Sequence, residues 1–211
     1  MEDKRIHTGT TTLGIVCKDG IVLAADKRAS AGYLVASNDE KKIFKITDHM
    51  AITTAGMVSD AQLITKLIQA ELRLKRMRTK ETPSVKEAAN LLAGILYQNI
   101  RKMSMVPGIV SLLLGGNDPD GNYLYELGID GSLMQKKDFY STGSGSMFAI
   151  GVLESNYNQK ITVKEGIELA TKAINTAINR DLATGDGLDI FVINERGAHQ
   201  VVAKKIEKTL K

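Results

Sequence analysis

The sequence predicts an α+β protein: two antiparallel sheets packed face to face, with a pair of helices on each outer surface. Three observations carry that reading. Strand-like and helix-like segments come in the order strands, two helices, strands, two helices, strands, which lacks the regular alternation of a parallel doubly wound sheet. The step Asp19-Gly20 joins two apolar runs, the signature of a hairpin and so of antiparallel pairing. The long helical segments each carry an apolar stripe, and a sheet face is what such a stripe needs to cover it. The 211 residues, 43% of them hydrophobic, suffice for one such domain, and no linker or shift of composition divides them.

Each element has a local reason. Thr10-Thr11-Thr12-Leu13-Gly14-Ile15-Val16-Cys17 and Ile21-Val22-Leu23-Ala24-Ala25 are the two arms of the hairpin, and residues 51–55 read as a further short strand. Ser59 opens a long helix whose stripe is Leu63, Leu67, Ala70, Leu74 and Met77. After Thr82-Pro83, the capping box Ser84-Val85-Lys86-Glu87 starts a second helix with the stripe Ala89, Leu92, Leu96, Ile100 and Met103, ended by Pro107-Gly108. Residues 109–114, 123–127 and 133–140 form strands joined by turns at Asp120-Gly121 and Asp130-Gly131. A third helix follows the Gly-Ser loop at 143–146. A second capping box, Thr162-Val163-Lys164-Glu165, opens a fourth with Ile167, Ala170, Ile174 and Ala177 on one face. Strands at 188–193 and about 199–203 finish the core, and residues 206–211 read as a short frayed helix.

Composition excludes several classes of function. Lys+Arg 28 against Asp+Glu 24 gives a net charge of +4, spread along the chain. The densest basic run, Arg73-Leu74-Lys75-Arg76-Met77-Arg78, reads as a solvated helix face, and without a basic stripe or aromatic platform no nucleic-acid partner is expected. The single cysteine, Cys17, sits at the end of an apolar run and reads as a small buried hydrophobe. His7, His49 and His199 have no metal-ligand spacing, so neither metal nor other cofactor is expected. No apolar run approaches the roughly 20 residues of a spanning helix, and the polar, charged start is no secretory signal. The expected location is a reducing cytoplasm, with no membrane partner.

Several residues are candidates for chemistry. A threonine hydroxyl must lose a proton before it attacks, and a free α-amino group on the same residue, with a pKa of roughly 7.7–8.0, can take it. Thr10 would gain that amine by cleavage at Gly9-Thr10, although a threonine triplet is also how an ordinary strand begins. Asp26 interrupts the apolar run Ile21-Val22-Leu23-Ala24-Ala25, and a carboxylate there needs a partner. A tight hairpin brings it near Thr10. Lys41-Lys42 precedes Ile43-Phe44, which can draw one ammonium inward. Gly143-Ser144-Gly145-Ser146 lacks the Lys-Ser/Thr of a P-loop and reads as a place of close backbone approach, with Ser144 supplying a hydroxyl. Asp181-Leu182-Ala183-Thr184-Gly185 closes the last long helix.

Taken in order, these segments are recognisable. Gly9-Thr10-Thr11-Thr12-Leu13-Gly14, then Ala24-Ala25-Asp26-Lys27-Arg28-Ala29-Ser30, resembles the opening of a proteasome β subunit. The resemblance continues through Lys41-Lys42-Ile43-Phe44, Ala55-Gly56-Met57-Val58-Ser59-Asp60-Ala61-Gln62, Ser141-Thr142-Gly143-Ser144-Gly145-Ser146, Gly151-Val152-Leu153-Glu154 and Arg180-Asp181, and is strongest to the archaeal type. It implies the four-layer αββα sandwich of amino-terminal nucleophile hydrolases. It implies that residues 1–9 are a propeptide removed by autocleavage at Gly9-Thr10, leaving 10–211 as one peptidase domain. Thr10 takes the nucleophile's place, Asp26 and Lys42 its acidic and basic partners. Ser144, Asp181 and Thr184 take supporting positions, Thr184 standing where the family usually has serine. Gly56 takes the position of the oxyanion donor.

By the same resemblance, substrate would pair with backbone at Arg28, Ala29 and Ser30 and at Gly56–Val58. Ala29, Glu40, Phe44, Thr54 and Val58 would line the primary specificity pocket, with Glu40 expected to turn to solvent because buried glutamate is uncommon. An open, apolar pocket predicts cleavage after large apolar residues. The implied partners are other β subunits in a seven-membered ring, an α-subunit ring, indirectly an ATP-dependent unfoldase, and unfolded polypeptide as substrate. Two alternatives stand beside this reading: a noncatalytic β subunit of the same ring, and the related bacterial peptidase that partners an unfoldase.

Overall fold

The computed structural model describes residues 9–206. Its strands are β1 (Thr11–Cys17), β2 (Gly20–Asp26), β3 (Ala29–Ala31), β4 (Leu34–Ser37), β5 (Ile43–Thr47), β6 (Met50–Gly56), β7 (Val110–Asp118), β8 (Gly121–Leu127), β9 (Leu133–Lys136), β10 (Phe139–Gly143), β11 (Gly187–Asn194) and β12 (Gly197–Lys205). Its helices are α1 (Val58–Thr79), α2 (Val85–Arg101), α3 (Ser146–Asn156) and α4 (Val163–Arg180). One sheet has the order β10-β1-β2-β11-β12 and the other β5-β6-β7-β8-β9, while β3 and β4 form a separate small hairpin. Every pairing is antiparallel.

The sandwich has three apolar layers. Ile64, Ile68, Leu92 and Leu96 pack α1 and α2 onto the second sheet. Ala170, Ala173 and Ile174 pack α4 onto the first sheet beside α3's Leu153. Ile21, Leu23, Leu113, Leu124 and Phe191 fill the space between the sheets. The four-layer αββα arrangement is therefore present. The sheets approach closely at Gly14, where an added Cβ would lie 2.6 Å from Leu124. Both expected capping boxes form, Ser84 with Glu87 and Thr162 with Glu165.

Four expectations are corrected. The apolar stripe read on α1 is its outer face: Leu63, Leu67, Leu74 and Met77 are exposed, and Ala61, Ile64, Thr65, Ile68 and Leu72 face the sheet. Both sets recur at helical spacing, so periodicity alone did not separate them. α2 ends at Arg101, so Met103 lies beyond it and is fully exposed. The segment 133–140 is two strands in different sheets. β9 pairs with β8, the chain crosses at Lys137-Asp138, and β10 pairs with β1. α1 begins one residue before Ser59, at Val58. The helix expected at 206–211 lies outside the described residues except for Ile206, which is not helical.

Candidate active site

The candidate residues gather at one end of the sandwich, where β1, β2, β6 and β10 and the α4–β11 loop meet. The register of the hairpin brings Thr12 opposite Ala25, so Asp26 arrives beside Thr11 as the tight turn requires. Asp26 is wholly buried and fully used. Its Oδ1 accepts from the Thr11 amide at 2.9 Å and from Lys42 Nζ at 2.6 Å. Its Oδ2 accepts from the Arg28 amide at 3.1 Å and the Gly185 amide at 2.9 Å. A buried carboxylate is tolerated in such surroundings, where a cation and three N–H groups replace water.

Lys42, and not Lys41, is the lysine drawn inward. Its side chain is 4% exposed, and Thr54 holds its backbone through an amide bond to the Lys42 carbonyl at 2.9 Å. Burial pushes the Lys42 ammonium below the ordinary lysine range, against the opposing pull of Asp26 and, more weakly, Glu40 and Asp181. Lys41 is exposed, its ammonium 5.7 Å from the Phe44 ring centre.

Thr10 is 5% exposed. Thr10 Oγ1 donates to the Gly9 carbonyl at 2.6 Å, while its amide donates to Ser144 Oγ at 3.3 Å. Ser144 Oγ has one proton and two acceptors in reach, Asp181 Oδ2 at 2.5 Å and the Thr10 carbonyl at 3.4 Å. The closer, charged acceptor takes it, which leaves an oxygen lone pair facing the Thr10 nitrogen. Thr184 Oγ1 donates to the same Asp181 oxygen at 2.6 Å, so the 2.7 Å contact of Thr11 with Thr184 runs from Thr11. Asp181 thus orders the Ser144 hydroxyl beside the Thr10 nitrogen and the Thr184 hydroxyl, to which Thr11 in turn donates.

Glycine is required at three places here. A Cβ on Gly9 would lie 1.9 Å from Ala183 Cβ and 2.5 Å from Ser30 Oγ. Gly56 has φ 131°, and a Cβ on it would meet the Ile109 carbonyl at 2.1 Å. Gly143, at φ 95°, lies against the Thr10 carbonyl.

Thr10 and Lys42 share a cleft with Gly9, Ala29, Ser30, Phe44, Thr54, Gly56 and Val58, so most of the expected substrate-binding positions are brought together. Glu40 is half-buried and lines this cleft, because the β4–β5 connection runs along its rim. Arg28 turns away from it. Its Nε and Nη2 grip Asp186 at 2.7 and 3.2 Å, and Nη1 donates to the Leu182 carbonyl at 2.6 Å. This fork ties the 182–186 loop to the end of β2, a role the sequence reading missed; an arginine adjoining a strand end and a downstream Asp186 gave no pairing signal. Gln62 also lines the cleft. It lies one helical turn after Val58, and that spacing on α1 was the available signal.

A family model described as "Proteasome subunit" matches residues 6–193 of this chain. This chain belongs to the proteasome subunit family. "Proteasome subunit beta" of Archaeoglobus profundus is 44% identical over all of this chain and 95% of its own length. The Methanosarcina barkeri protein of the same name is 40% identical over 98% of this chain and 96% of its own. "Proteasome subunit beta 2" of Aeropyrum pernix is 42% identical over 93% of this chain and 87% of its own. The chain is thus a β-type proteasome subunit of the threonine endopeptidase class, and such a subunit assembles into proteasome rings. Among the described residues of this proteasome chain, no helix is long and apolar enough to cross a membrane. Among them, too, no cluster of three or more histidine, cysteine or carboxylate groups is arranged to hold a metal.

Proposed function

We propose that Thr10 is the nucleophile of this β subunit, freed by cleavage of its own bond to Gly9. The observation that carries the reading is the setting of Thr10: its hydroxyl on the Gly9 carbonyl at 2.6 Å, its nitrogen on Ser144 at 3.3 Å, and Lys42 in the same cleft. In the first reaction Thr10 Oγ attacks the Gly9 carbonyl carbon. The peptide C–N bond breaks, the proton passes to the departing Thr10 nitrogen, and the resulting ester is hydrolysed by water. Residues 1–9 leave as the propeptide, and residues 10–211 form the peptidase.

The freed α-amine then serves as base for the hydroxyl beside it. Thr10 Oγ attacks the scissile carbonyl of an extended substrate paired with backbone at Arg28, Ala29, Ser30 and Gly56–Val58. The Gly56 amide stabilises the developing oxyanion, an effect of about 3 kcal/mol in comparable sites. Lys42, held by Asp26, lowers the proton affinity of the groups around it. Ser144, Asp181 and Thr184 orient the amine. Phe44 and Val58 give the specificity pocket apolar walls, and the small Thr54 leaves it roomy.

The proposed substrate is unfolded polypeptide in the cytoplasm, fed by an ATP-dependent unfoldase into a chamber of stacked seven-membered β rings capped by α rings. The complete set of Thr10, Asp26 and Lys42 favours this over a noncatalytic ring member. The likeness to archaeal β subunits along the whole chain favours it over the bacterial unfoldase-partnered peptidase. Intact mass before and after assembly with α subunits tests processing, the expected product being 211 − 9 = 202 residues long with Thr10 first. Thr10→Ala particles should assemble and hydrolyse no peptide, and Lys42→Ala should lose most turnover. Active particles retaining residues 1–9, or full turnover by Thr10→Ala, would overturn the assignment.

A further inference from the structure

The layer between the two sheets is apolar over most of its extent but not at its catalytic end. There three buried threonines from three strands form a continuous run. The Leu113 amide, which can only donate, reaches Thr53 Oγ1 at 3.3 Å. Thr53 therefore spends its one proton on Thr12 Oγ1, 3.1 Å away across the interface between the sheets. Thr12 and Thr142 share the next bond at 2.7 Å. Ser141 adds a bond to the Thr12 carbonyl at 2.8 Å, so β10 is fixed to β1 on both sides of this point. Thr12 and Thr53 are wholly buried, and Thr142 is 8% exposed.

The placement of this run matters more than its strength. Thr12 lies two residues along β1 from Thr10, and Thr53 lies beside Thr54 and three residues from Gly56 on β6. The Thr53–Thr12 bond thus joins the strand that carries the nucleophile to the strand that carries the facing wall. Apolar burial is non-directional and aligns two sheets only through the fit of their side chains. A hydroxyl bond has a short optimum and a preferred angle, and an unmade one in a dry interior is penalised. Three hydroxyls where alkyl groups would fill the same volume are therefore better explained by alignment than by stability.

We propose that Thr53, Thr12 and Thr142 are positioning residues that set the height of Thr10 against Gly56, an inference that rests on the peptidase reading above. Errors near 1 Å in such alignment cost on the order of a hundredfold in rate. The test uses processed, assembled particles and a fluorogenic peptide. Thr53→Val keeps the shape and removes the hydroxyl. It is expected to lower kcat at least tenfold, with KM within about twofold and particle mass unchanged. Thr53→Ser, which restores the hydroxyl, should recover most of that loss. Thr142→Val, at the end of the run, should show a smaller fall in kcat and serves as the second reading should Thr53→Val fail to assemble. A kcat within twofold of wild type in the assembled valine variants would overturn the inference. So would a Thr53→Ser as impaired as Thr53→Val, since the hydroxyl would then not be the decisive group. Thr10→Ala run alongside separates the two levels: its full turnover sinks the nucleophile assignment, whereas its inactivity with a fully active Thr53→Val sinks only the positioning role.

Discussion

Gly143 stands so close to Thr10 that a Cβ on it would lie 2.0 Å from the Thr10 carbonyl oxygen. The contact follows from the pairing of β1 with β10, in which Gly143 faces Thr11. Backbone cannot yield there as a flexible side chain can, and φ 95° disfavours any side chain besides. Gly143→Ala should therefore shift Thr10 and lower peptide turnover by about a hundredfold or more. Steady-state kinetics on assembled particles checks this, and near-normal turnover would show that β10 can move aside.

Gly9→Ala should block processing while leaving the domain folded. The added methyl would overlap Ala183 and Ser30, so the scissile carbonyl could not stay beside Thr10 Oγ1. Intact mass should show the unprocessed chain persisting in assembled particles. Processing at the normal rate would mean that the 181–187 loop opens easily.

Arg28→Met should destabilise the domain by about 2 kcal/mol, since it removes a two-bond charged pair to Asp186 at a site only 7% exposed. Asp186 also holds φ 64°, a conformation that its ion pair helps to maintain. Denaturant unfolding of the isolated subunit measures the loss. A change below about 1 kcal/mol would show that the pair is replaced by solvent at little cost.

Cys17 predicts a pH effect. Burial pushes its thiol from 9.0 up to about 12, aided by Asp19 and Glu165. The folded state holds this proton more tightly than the unfolded chain, so its contribution is intact below pH 9 and is lost as pH rises toward 12. Across that window the stability of wild type should fall more steeply with pH than that of Cys17→Ala, by about one proton. At pH 8, iodoacetamide should label native Cys17 far more slowly than the unfolded chain.

Glu40 makes cleavage preference a test of electrostatics. It lines the cleft beside Phe44 and Thr54, so its charge can reach a basic substrate side chain where water is scarce. The apolar walls still favour release after Tyr over release after Arg. Glu40→Gln should reduce cleavage after Arg and leave cleavage after Tyr nearly unchanged. Equal loss on both peptides would assign Glu40 to the Lys42 environment instead of the pocket.

Local chemistry made much of this protein legible from its residues alone. The Asp19-Gly20 turn, both capping boxes and the buried Asp26 at a strand end follow from nearest neighbours, and the resemblance then ordered Thr10, Asp26 and Lys42 into one site. What only the tertiary structure decided is what depends on distant partners. Periodicity says which residues share a face of α1 but not which face meets the sheet, and it is Ile64 and Ile68 that meet it while Leu63 and Leu67 face outward. In 133–140 the polar run Gln135-Lys136-Lys137-Asp138 separates two apolar pairs, but nothing in it says that the second pair joins the other sheet. Arg28 and Asp186 are 158 residues apart, and the Thr53–Thr12 bond spans 41. Such contacts carry no local signature, because each forms only after the sheets have packed and set the distance between its two ends.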